Sequence, residues 1–462
     1  MNHVNQSKSW LALIGVAIAS FLGCLDFTIV NTALPAIKAN LHASVGELQW
    51  VVNIFILSLS SFMAIMGKMA DIYGRRKVLY IGIIIFGLAS LMAGCAINIY
   101  WLNFWRLIQG VASTILYTAS GAIVSNIFPI EKRGKAMGIF FGISFTGLAA
   151  GPALGGLIVS VLSWRWVFLV NVPVVVLSLL ICSISVTESK NSQLGTKVDY
   201  LGALIMLIGL ASFTIVLTEG NDWGWVSFKT ILTLVFAVIM LILLYIVENK
   251  SSSPIIKFDL FTNIPFVSGI IATFFLAFFY CLDFFLMPLY LHLSRGELDY
   301  TIGLMLLCTT IMVALISPIV GKTVDRKGPK KPLLVGFGFF IISATIQANF
   351  TAYTSIYIVI LAFILMGIAW GSIVGPSTIL SLSALPKNSE ALAIGTCWTL
   401  HNIGGTIGLG LGISIYHYEL EKHNNSFITG FHGAMTLLII SSALAFILLM
   451  INFRLQQKGR LE

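Results

Sequence analysis

The chain has 462 residues, of which 58% are hydrophobic and only 10% are charged, and its mean hydropathy is +0.97. No water-soluble globular domain has this composition, so we expect the chain to reside in a lipid bilayer. The formal net charge is +9, but the basic residues are divided among short loops, which argues against a nucleic-acid partner. All six cysteines lie in apolar segments and are interpreted as buried apolar side chains, not as disulfides or metal ligands.

Apolar segments long enough to cross a bilayer recur along the whole chain, since about 20 residues suffice for one crossing. In chain order they lie near 10–34, 48–70, 78–97, 101–128, 136–161, 165–187, 200–218, 228–247, 265–293, 301–321, 333–350, 355–384, 391–416 and 430–453. Unpaired backbone groups are costly in lipid, so each segment is predicted to be a helix.

These segments predict an all-α membrane protein with about 14 transmembrane helices. We expect an N-terminal six-helix bundle over 1–190, an inserted helix pair over 191–258 and a C-terminal six-helix bundle over 259–462.

The distribution of positive charge predicts the orientation. If the N-terminus is cytoplasmic, the external loops carry only a few of the 27 Lys and Arg residues, Arg106 lies within a span, and the cytoplasmic side carries the rest. This imbalance satisfies the positive-inside rule with both termini in the cytoplasm. The external residues are Lys38, Arg165, Lys229, Arg295 and Lys422.

The two halves of the chain share a repeat. The sequence CLDF occurs at 24–27 and again at 281–284, an offset of 257, and the same offset carries the glycines at 147, 151 and 155 onto those at 404, 408 and 412. Acid and glycine helix recur in the same order, which indicates two six-helix halves related by duplication. In transporters built from such repeats, the substrate site lies at the repeat interface near the membrane midplane.

Five segments resemble sequences of the major facilitator superfamily. GKMADIYGRRK (67–77), RLIQG (106–110) and GLAAGPALGG (147–156) are similar to its cytoplasmic-loop, fourth-helix and antiporter motifs. LDFTIVNTALP (25–35) and WRWVFLVNVP (164–173) resemble its fourteen-helix drug/proton antiporter branch. The resemblance implies an exporter that works by alternating access, with a site that faces each side of the membrane in turn.

The first of these segments has two interpretations. Its glycines permit a tight turn between two helices, and its basic residues hold that turn at the cytoplasmic face, so a topology anchor with no further role is one interpretation. The resemblance implies a further role, a charge latch between the halves in which Asp71 and Arg75 take part, with a weaker second copy in the C-terminal half. The candidate latch residues are Gly67, Asp71, Gly74, Arg75, Asp325 and Arg326.

Glycines at four-residue spacing form stripes that let helix backbones approach closely. Packing alone explains such stripes; the functional alternative is a tight interface that slides when the transporter opens. Pro152 and Pro376 are predicted to bend their helices where that motion needs a break. The stripes comprise Gly147, Gly151 and Gly155, then Gly367, Gly371 and Gly375, and finally Gly404, Gly408 and Gly412.

Ionisable residues at membrane depth are costly unless they are paired, hydrated or neutralised. Three lie well inside predicted spans: Asp26, Arg106 and Asp283. Asp26 and Arg106 are interpreted either as a structural ion pair or as the proton-coupling site, in which Asp26 gains and loses a proton. Arg106 shifted by 257 falls on Phe363, so the second half keeps the acid and lacks the base. Asp283 is therefore predicted to attract a cationic substrate or to carry a second proton, with a hydrated acid of no transport role as the alternative.

Further polar and aromatic residues inside the spans are candidates for lining a substrate cavity, although each has packing as its alternative. His401, where relatives of the resembled family carry Arg, is a candidate proton carrier or a hydrogen-bonding partner of a neighbouring helix. The candidates are Gln49, Trp50, Asn53, Tyr117, Ser120, Trp370, Ser372, Trp398, His401 and Asn402.

The sequence motifs expected of a nucleotide-driven pump or a metal-dependent enzyme are missing from this sequence. GKT at 321–323 has Ile at 316, where a phosphate-binding loop needs its first glycine, and the histidines show no metal-binding spacing. We therefore expect neither an enzyme nor a cofactor. The sequence predicts a monomeric, proton-coupled antiporter of the bacterial inner membrane that exports small lipophilic or cationic compounds. A dedicated exporter of one natural product, such as a siderophore or antibiotic, is the alternative; uptake, or a membrane enzyme or scaffold, is favoured less.

Overall fold

The computed structural model describes residues 6–189, 199–251, 254–256, 258–382, 390–422 and 426–458. These residues form helices joined by short turns, and no strand occurs among them. The prediction of an all-α protein is confirmed. Contacts between Cα atoms divide the chain into two units, Met1–Val198 and Asp199–Glu462.

The described residues of the first unit form seven helices. They are α1 (Gln6–Leu41), α2 (Val45–Tyr73), α3 (Arg75–Gly94), α4 (Ile99–Ile127), α5 (Ile130–Val161), α6 (Trp166–Leu169) and α7 (Asn171–Ser185).

Local sequence explains where several of these helices begin. Ser44 and Glu47 form a reciprocal capping box at the start of α2, and the side chain of Asn98 accepts a hydrogen bond from the Trp101 amide at the start of α4. Gly74 separates α2 from α3 with a φ of 111°, a value that side-chain-bearing residues rarely adopt.

The glycine stripe of α5 packs against α1. A Cβ atom on Gly147 would lie 2.6 Å from the Phe21 carbonyl oxygen, and one on Gly155 would lie 2.7 Å from the Ile29 carbonyl oxygen. Thr28 Oγ1 also donates a hydrogen bond of 3.0 Å to the Leu148 carbonyl of α5. α5 bends by 41° between its segments 142–148 and 150–161, shortly before Pro152, whose ring cannot sit in a straight helix.

Where the structure describes the second unit, it forms eight α-helices and a short 3₁₀ helix, Phe258–Thr262. The α-helices are α8 (Tyr200–Trp223), α9 (Phe228–Lys250), α10 (Ile264–Leu293), α11 (Asp299–Lys327), α12 (Lys330–Gln347), α13 (Ile356–Leu382), α14 (Glu390–Lys422) and α15 (Phe427–Lys458).

The duplicated glycines make the same kind of helix pair in this unit. Gly404 and Gly408 lie against the Phe274 and Phe278 backbones, so that α14 packs on α10 as α5 packs on α1. A Cβ on Gly408 would lie 2.6 Å from the Phe278 Cα atom. The repeat in the sequence is therefore also a repeat in helix packing.

Helices α8 and α9 pack on each other and belong to the second unit. α8 lies against α14, where Ser414 Oγ donates a hydrogen bond of 2.6 Å to the Leu217 carbonyl. α9 exposes most of its apolar surface, as expected of a helix that faces lipid tails. The division into two bundles and a separate inserted pair stays a prediction.

Eleven helices of the described residues are long and apolar enough to cross a membrane, or up to 12 if the bent α5 is one span. This confirms a multi-pass membrane protein. Among the predicted spans, α12 does not pass this test; it begins with two lysines. α14, which carries His401, Asn402 and several glycines, does not pass it either. The count of about 14 is therefore not established, although each predicted segment is helical.

Candidate functional site

Asp26 of α1 and Arg106 of α4 form an ion pair in the interior of the first unit. Arg106 Nη1 donates to Asp26 Oδ2, and the two side chains are 1% exposed or less. An isolated charge at this depth would be strongly disfavoured, and in this pair each charge compensates the other.

Three polar side chains complete the surroundings of this pair. Gln109 Nε2 donates to Asp26 Oδ1 at 3.2 Å and to Ser90 Oγ at 2.8 Å, while Gln109 Oε1 accepts from Arg106 Nη1 at 3.1 Å. Asn171 Nδ2 donates to the same Asp26 Oδ1 at 3.0 Å. Ser90, Gln109 and Asn171 are all fully buried, so the carboxylate is held by a network of enclosed side chains.

The remaining surface of the Arg106 guanidinium is also occupied. Its Nε donates to the Val51 carbonyl of α2 at 3.0 Å, and its Cζ lies 4.2 Å from the centre of the Phe55 ring. A second ring, Phe168 of α6, lies 5.9 Å from the same atom. These hydrogen bonds and cation–π contacts disperse the positive charge in a dry interior.

Asp283 has the same sequence context in α10 and different surroundings. It is fully buried, and among the described residues neither of its carboxylate oxygens has a hydrogen-bond partner of ordinary geometry. The Gln347 amide of α12 lies beside it and is itself tied to Ser343 Oγ at 3.2 Å. Phe363, which occupies the position of Arg106 in the repeat, is buried and apolar. An acid with unused acceptors is suited to a proton or a cation.

An aromatic cluster lies one turn from Asp283. Tyr280 stacks on Trp370 with ring centres 4.4 Å apart, and Phe284 meets Trp370 edge-on at 5.7 Å. His401 is fixed between α10 and α14, because Nδ1 meets Thr273 Oγ1 at 2.8 Å and Nε2 meets the Tyr280 hydroxyl at 3.0 Å. Both ring nitrogens are engaged, an arrangement that favours the helix-linking interpretation of His401 over a proton carrier.

Several predicted cavity residues are buried polar groups that lack partners within the described part of the chain. Both polar atoms of Gln49 and of Asn53 on α2 are unpaired, as are Ser120 Oγ on α4 and Asn402 Nδ2 on α14. Unpaired buried polar atoms indicate positions for water or a ligand.

The other predicted lining residues fit packing better. Tyr117 contacts α1 at Gly23, and Trp398 meets the His401 ring edge-on at 4.9 Å. Ser372 Oγ bonds the Ile368 carbonyl of its own helix. Trp50 is only partly buried.

Asp71 and Arg75 form an ion pair with each other at the turn between α2 and α3. Arg75 Nη2 lies 2.7 Å from Asp71 Oδ1, and Arg75 Nε lies 2.8 Å from the same oxygen. Gly67, one turn earlier in α2, faces Thr118 of α4. Both members of the pair belong to the first unit, so a latch between the halves stays a prediction.

In the second copy of this loop, Arg326 is exposed in the last turn of α11. The side chain of Asp325 lies outside the described residues. The predicted weaker latch therefore also stays a prediction.

Glu188 fixes the first loop in a way that sequence reasoning missed. Its carboxylate oxygens accept hydrogen bonds of 3.1 Å from the Arg76 and Lys77 amides, at the N-terminus of α3. A carboxylate at this position satisfies free amides and the helix dipole. A Cβ on Gly74 would lie 2.7 Å from this carboxylate, which explains the glycine at that position.

Gln109, Ser90 and Asn171 were also absent from the predicted site. Gln109 follows Arg106 by three residues, so both lie on one face of α4, and this spacing was a usable signal. Asn171 was visible as a polar residue inside the apolar segment 165–187. Ser90 carries no signal of its own, because serine is common in apolar helices.

A bundle of apolar helices with a buried charged network and a second buried acid is typical of membrane transporters, in which intramembrane ionisable groups mark ion and substrate pathways. The sequence profile of the Major Facilitator Superfamily matches residues 16–409. The chain belongs to this superfamily and is a membrane transporter.

Curated relatives extend this assignment. The chain is 32% identical over 403 residues to the "Multidrug resistance protein Stp" of Mycobacterium tuberculosis (strain CDC 1551 / Oshkosh), covering 87% of this chain and 74% of the relative. It is 29% identical to the "Probable multidrug resistance protein EmrY" of Escherichia coli (strain K12), covering 90% and 82%. The "Tetracenomycin C resistance and export protein" of Streptomyces glaucescens is 28% identical, with 87% and 75% covered.

Solved structures share the fold at low sequence identity. The POT family transporter PepTSo superimposes with a TM-score of 0.73 at 13% identity, over 97% of this chain and 98% of the other. A bacterial homologue of the human lysosomal transporter Spinster, in an inward-facing and occupied conformation, gives a TM-score of 0.70 at 13% identity, over 96% of each chain.

Proposed function

We propose that the protein is a proton-coupled antiporter that exports small lipophilic or cationic compounds. The observation that carries the proposal is the contrast between two acids in identical sequence contexts. Asp26 is paired and fully hydrogen-bonded, whereas Asp283 is buried and its oxygens make no hydrogen bond of ordinary geometry within the described part of the chain. Relatives named as multidrug resistance proteins support efflux as the direction of transport.

Asp26 is the proposed proton site. Its ion pair with Arg106 is neutral as a whole, so protonation of Asp26 would leave the guanidinium with an excess charge in a dry interior. That unfavourable state can be relieved by a movement that admits water, or by loss of the proton on the other side of the membrane. Proton binding is thereby tied to conformation, which is the requirement for coupling.

Asp283 is the proposed determinant for cations. A buried carboxylate without a basic partner among the described residues gains most from a positively charged ligand, and the neighbouring rings of Trp370 and Phe284 add apolar and cation–π contacts. The unpaired amides of Gln49 and Asn53 would offer polar contacts to the substrate or to bound water.

The remaining features belong to the same proposal. The protein would work as a monomer with fourteen spans, both termini in the cytoplasm, and two six-helix bundles that rock about the substrate in a bacterial inner membrane. The Asp71–Arg75 pair would act at the cytoplasmic gate, and the glycine stripes of α5 and α14 would form the interfaces that move.

Transport by inverted membrane vesicles with an imposed pH gradient tests this function. The panel should pair each lipophilic cation with a neutral compound of similar size. We expect wild-type protein to accumulate cations against their gradient and Asp26→Asn to abolish this accumulation while still binding substrate. Asp283→Asn should lower transport of cations more than that of their neutral counterparts, by at least about tenfold if the lost interaction exceeds 1.4 kcal/mol. Uphill transport that does not respond to the pH gradient would contradict proton coupling.

A dedicated exporter of one natural product is the second candidate. It is favoured by the relative named for tetracenomycin C export and by the unpaired polar groups of Gln49 and Asn53, which suit a polar, neutral product. The same panel of compounds distinguishes the two candidate functions, because a dedicated exporter would transport one compound class and would not transport the cations.

A further inference from the structure

Asn171 occupies a distinctive place at the proton site. It is the first residue of α7, directly after the break at Val170 that separates α6 from α7, and its side chain is fully buried. Its side-chain amide lies at the level of Asp26, to which it donates a hydrogen bond.

Its hydrogen bonds are unevenly distributed. Asn171 Nδ2 donates to Asp26 Oδ1 at 3.0 Å and lies 3.5 Å from Ser90 Oγ, whereas Asn171 Oδ1 has no partner among the described residues. A buried amide oxygen without a donor is unfavourable and calls for an explanation.

In the other side-chain amide at the site, that of Gln109, both the oxygen and the nitrogen are hydrogen-bonded. Gln109 Oε1 accepts from Arg106, and Gln109 Nε2 donates both to Ser90 and to Asp26. Rotating the Gln109 amide by half a turn would place two donors against the guanidinium and break these bonds. Rotating the Asn171 amide would break no hydrogen bond of its oxygen, because Oδ1 has no partner within the described part of the chain.

We propose that Asn171 is a positioning residue that follows the protonation state of Asp26 by rotating its amide, an inference that rests on the proposed role of Asp26 as the proton site. With Asp26 ionised, Nδ2 donates to Oδ1, as in the structure. When a proton binds Oδ1, the new hydroxyl needs an acceptor, and the rotated amide presents its oxygen there. No covalent bond changes besides the O–H bond of Asp26.

This arrangement gives Asp26 a hydrogen bond in both protonation states. Asn171 would thus lower the barrier between the two states while Gln109 and Arg106 keep their places. An aliphatic side chain of the same size cannot serve either state, and the ionised state loses more, because hydrogen bonds to a carboxylate are about twice as strong as neutral ones.

Asp26 and Arg106 are the charged side chains of this network, and the other charged groups on the packing helices lie towards helix ends. Those of α1, α2, α3, the start of α5, the α5–α6 turn and the segment after α7 are Lys8, Lys38, Glu47, Lys68, Asp71, Arg75, Arg76, Lys77, Glu131, Lys132, Arg133, Lys135, Arg165 and Glu188. A shift in the titration of the site is therefore attributed to Asp26.

The test is substrate-induced proton release by purified protein, measured as a function of pH. We expect Asn171→Leu to move the midpoint of release upward by about one pH unit, a tenfold change in proton affinity. Asn31→Leu is the matched control, because Asn31 is a buried amide whose Nδ2 donates to the Phe27 and Thr28 carbonyls of its own helix, and its midpoint should equal that of the wild type. An unchanged midpoint in Asn171→Leu would overturn the inference. Absence of proton release from the wild type would instead overturn the proposed function.

Infrared difference spectra of the wild type between high and low pH test the rotation itself and do not depend on folding of the leucine variant. We expect a carboxylic acid band that is lost in Asp26→Asn, accompanied by a shift of an asparagine side-chain carbonyl band to lower frequency. Proton binding at Asp26 without any change in a side-chain amide band would show that Asn171 does not rotate.

Discussion

Replacing Arg106 by methionine tests whether the buried pair is held by charge. The Arg106→Met substitution keeps the length and apolar stem of the side chain but leaves Asp26 with only the amides of Gln109 and Asn171. Removing one partner of a buried ion pair costs about 3–5 kcal/mol, because the remaining charge is uncompensated.

The loss should depend on pH with a definite sign. An ionised Asp26 is unfavourable in the folded variant, whereas a protonated Asp26 is not, so the folded variant binds its proton more tightly than the unfolded chain. Its stability then falls as pH rises, by up to about 1.4 kcal/mol per pH unit for one proton. At low pH the loss is confined to the hydrogen bonds of Arg106 to the Val51 carbonyl and Gln109 Oε1 and to its ring contacts, together about 2 kcal/mol.

Unfolding of the detergent-solubilised protein at pH 5 and pH 8 measures this effect. The Arg106→Met variant should be much less stable than the wild type at pH 8 and close to it at pH 5. The double variant with Asp26→Asn, which carries no acid, should show the same small deficit at both values. An equal deficit of the single variant at both pH values would refute the reasoning, because it would show that Arg106 acts by packing and not by pairing with Asp26.

Three further predictions concern the orientation, the gate and the glycine stripes. In a variant without native cysteines, a cysteine at Ser251 should label only from the cytoplasm and one at Asn221 only from outside; cytoplasmic labelling at Asn221 would remove the pair α8–α9 from the membrane-crossing segments. Asp71→Asn should slow exchange and leave substrate affinity near the wild-type value, since Asp71 pairs with Arg75 at the loop, and a large loss of affinity would place it in the binding site. Gly408→Val should strongly reduce folded protein because its Cβ would meet the Phe278 backbone, and equal yields for Gly408→Val and Gly338→Val, which has open space, would contradict this packing.

The sequence predicted features that depend on periodic spacing or on the energetic cost of polar groups in lipid. Long apolar segments must be helices in lipid, and each predicted segment is helical in the structure. The spacing of Gly147, Gly151 and Gly155 indicated a close helix partner, which is α1. An unpaired charge inside the membrane is energetically costly, so the pairing of Asp26 with Arg106 could be expected from the sequence.

Features that depend on tertiary geometry were not predictable. Four-residue glycine spacing does not reveal which helix lies opposite, and nothing in the sequence places Glu188 on the N-terminus of α3. The second bond of His401, to Tyr280, depends on the packing of α10 against α14. The network of Gln109, Ser90 and Asn171 forms only where three helices meet. Single polar residues in apolar segments are too common to predict such a network.

The most direct test of the central claim is proton release on addition of a cationic substrate to purified, detergent-solubilised protein. The proposed division of roles predicts that Asp26→Asn abolishes release, while Asp283→Asn retains it with a neutral substrate and weakens binding of the cation. If Asp283→Asn silences proton release and Asp26→Asn does not, the assignment is reversed, and the acid without a base is the proton site.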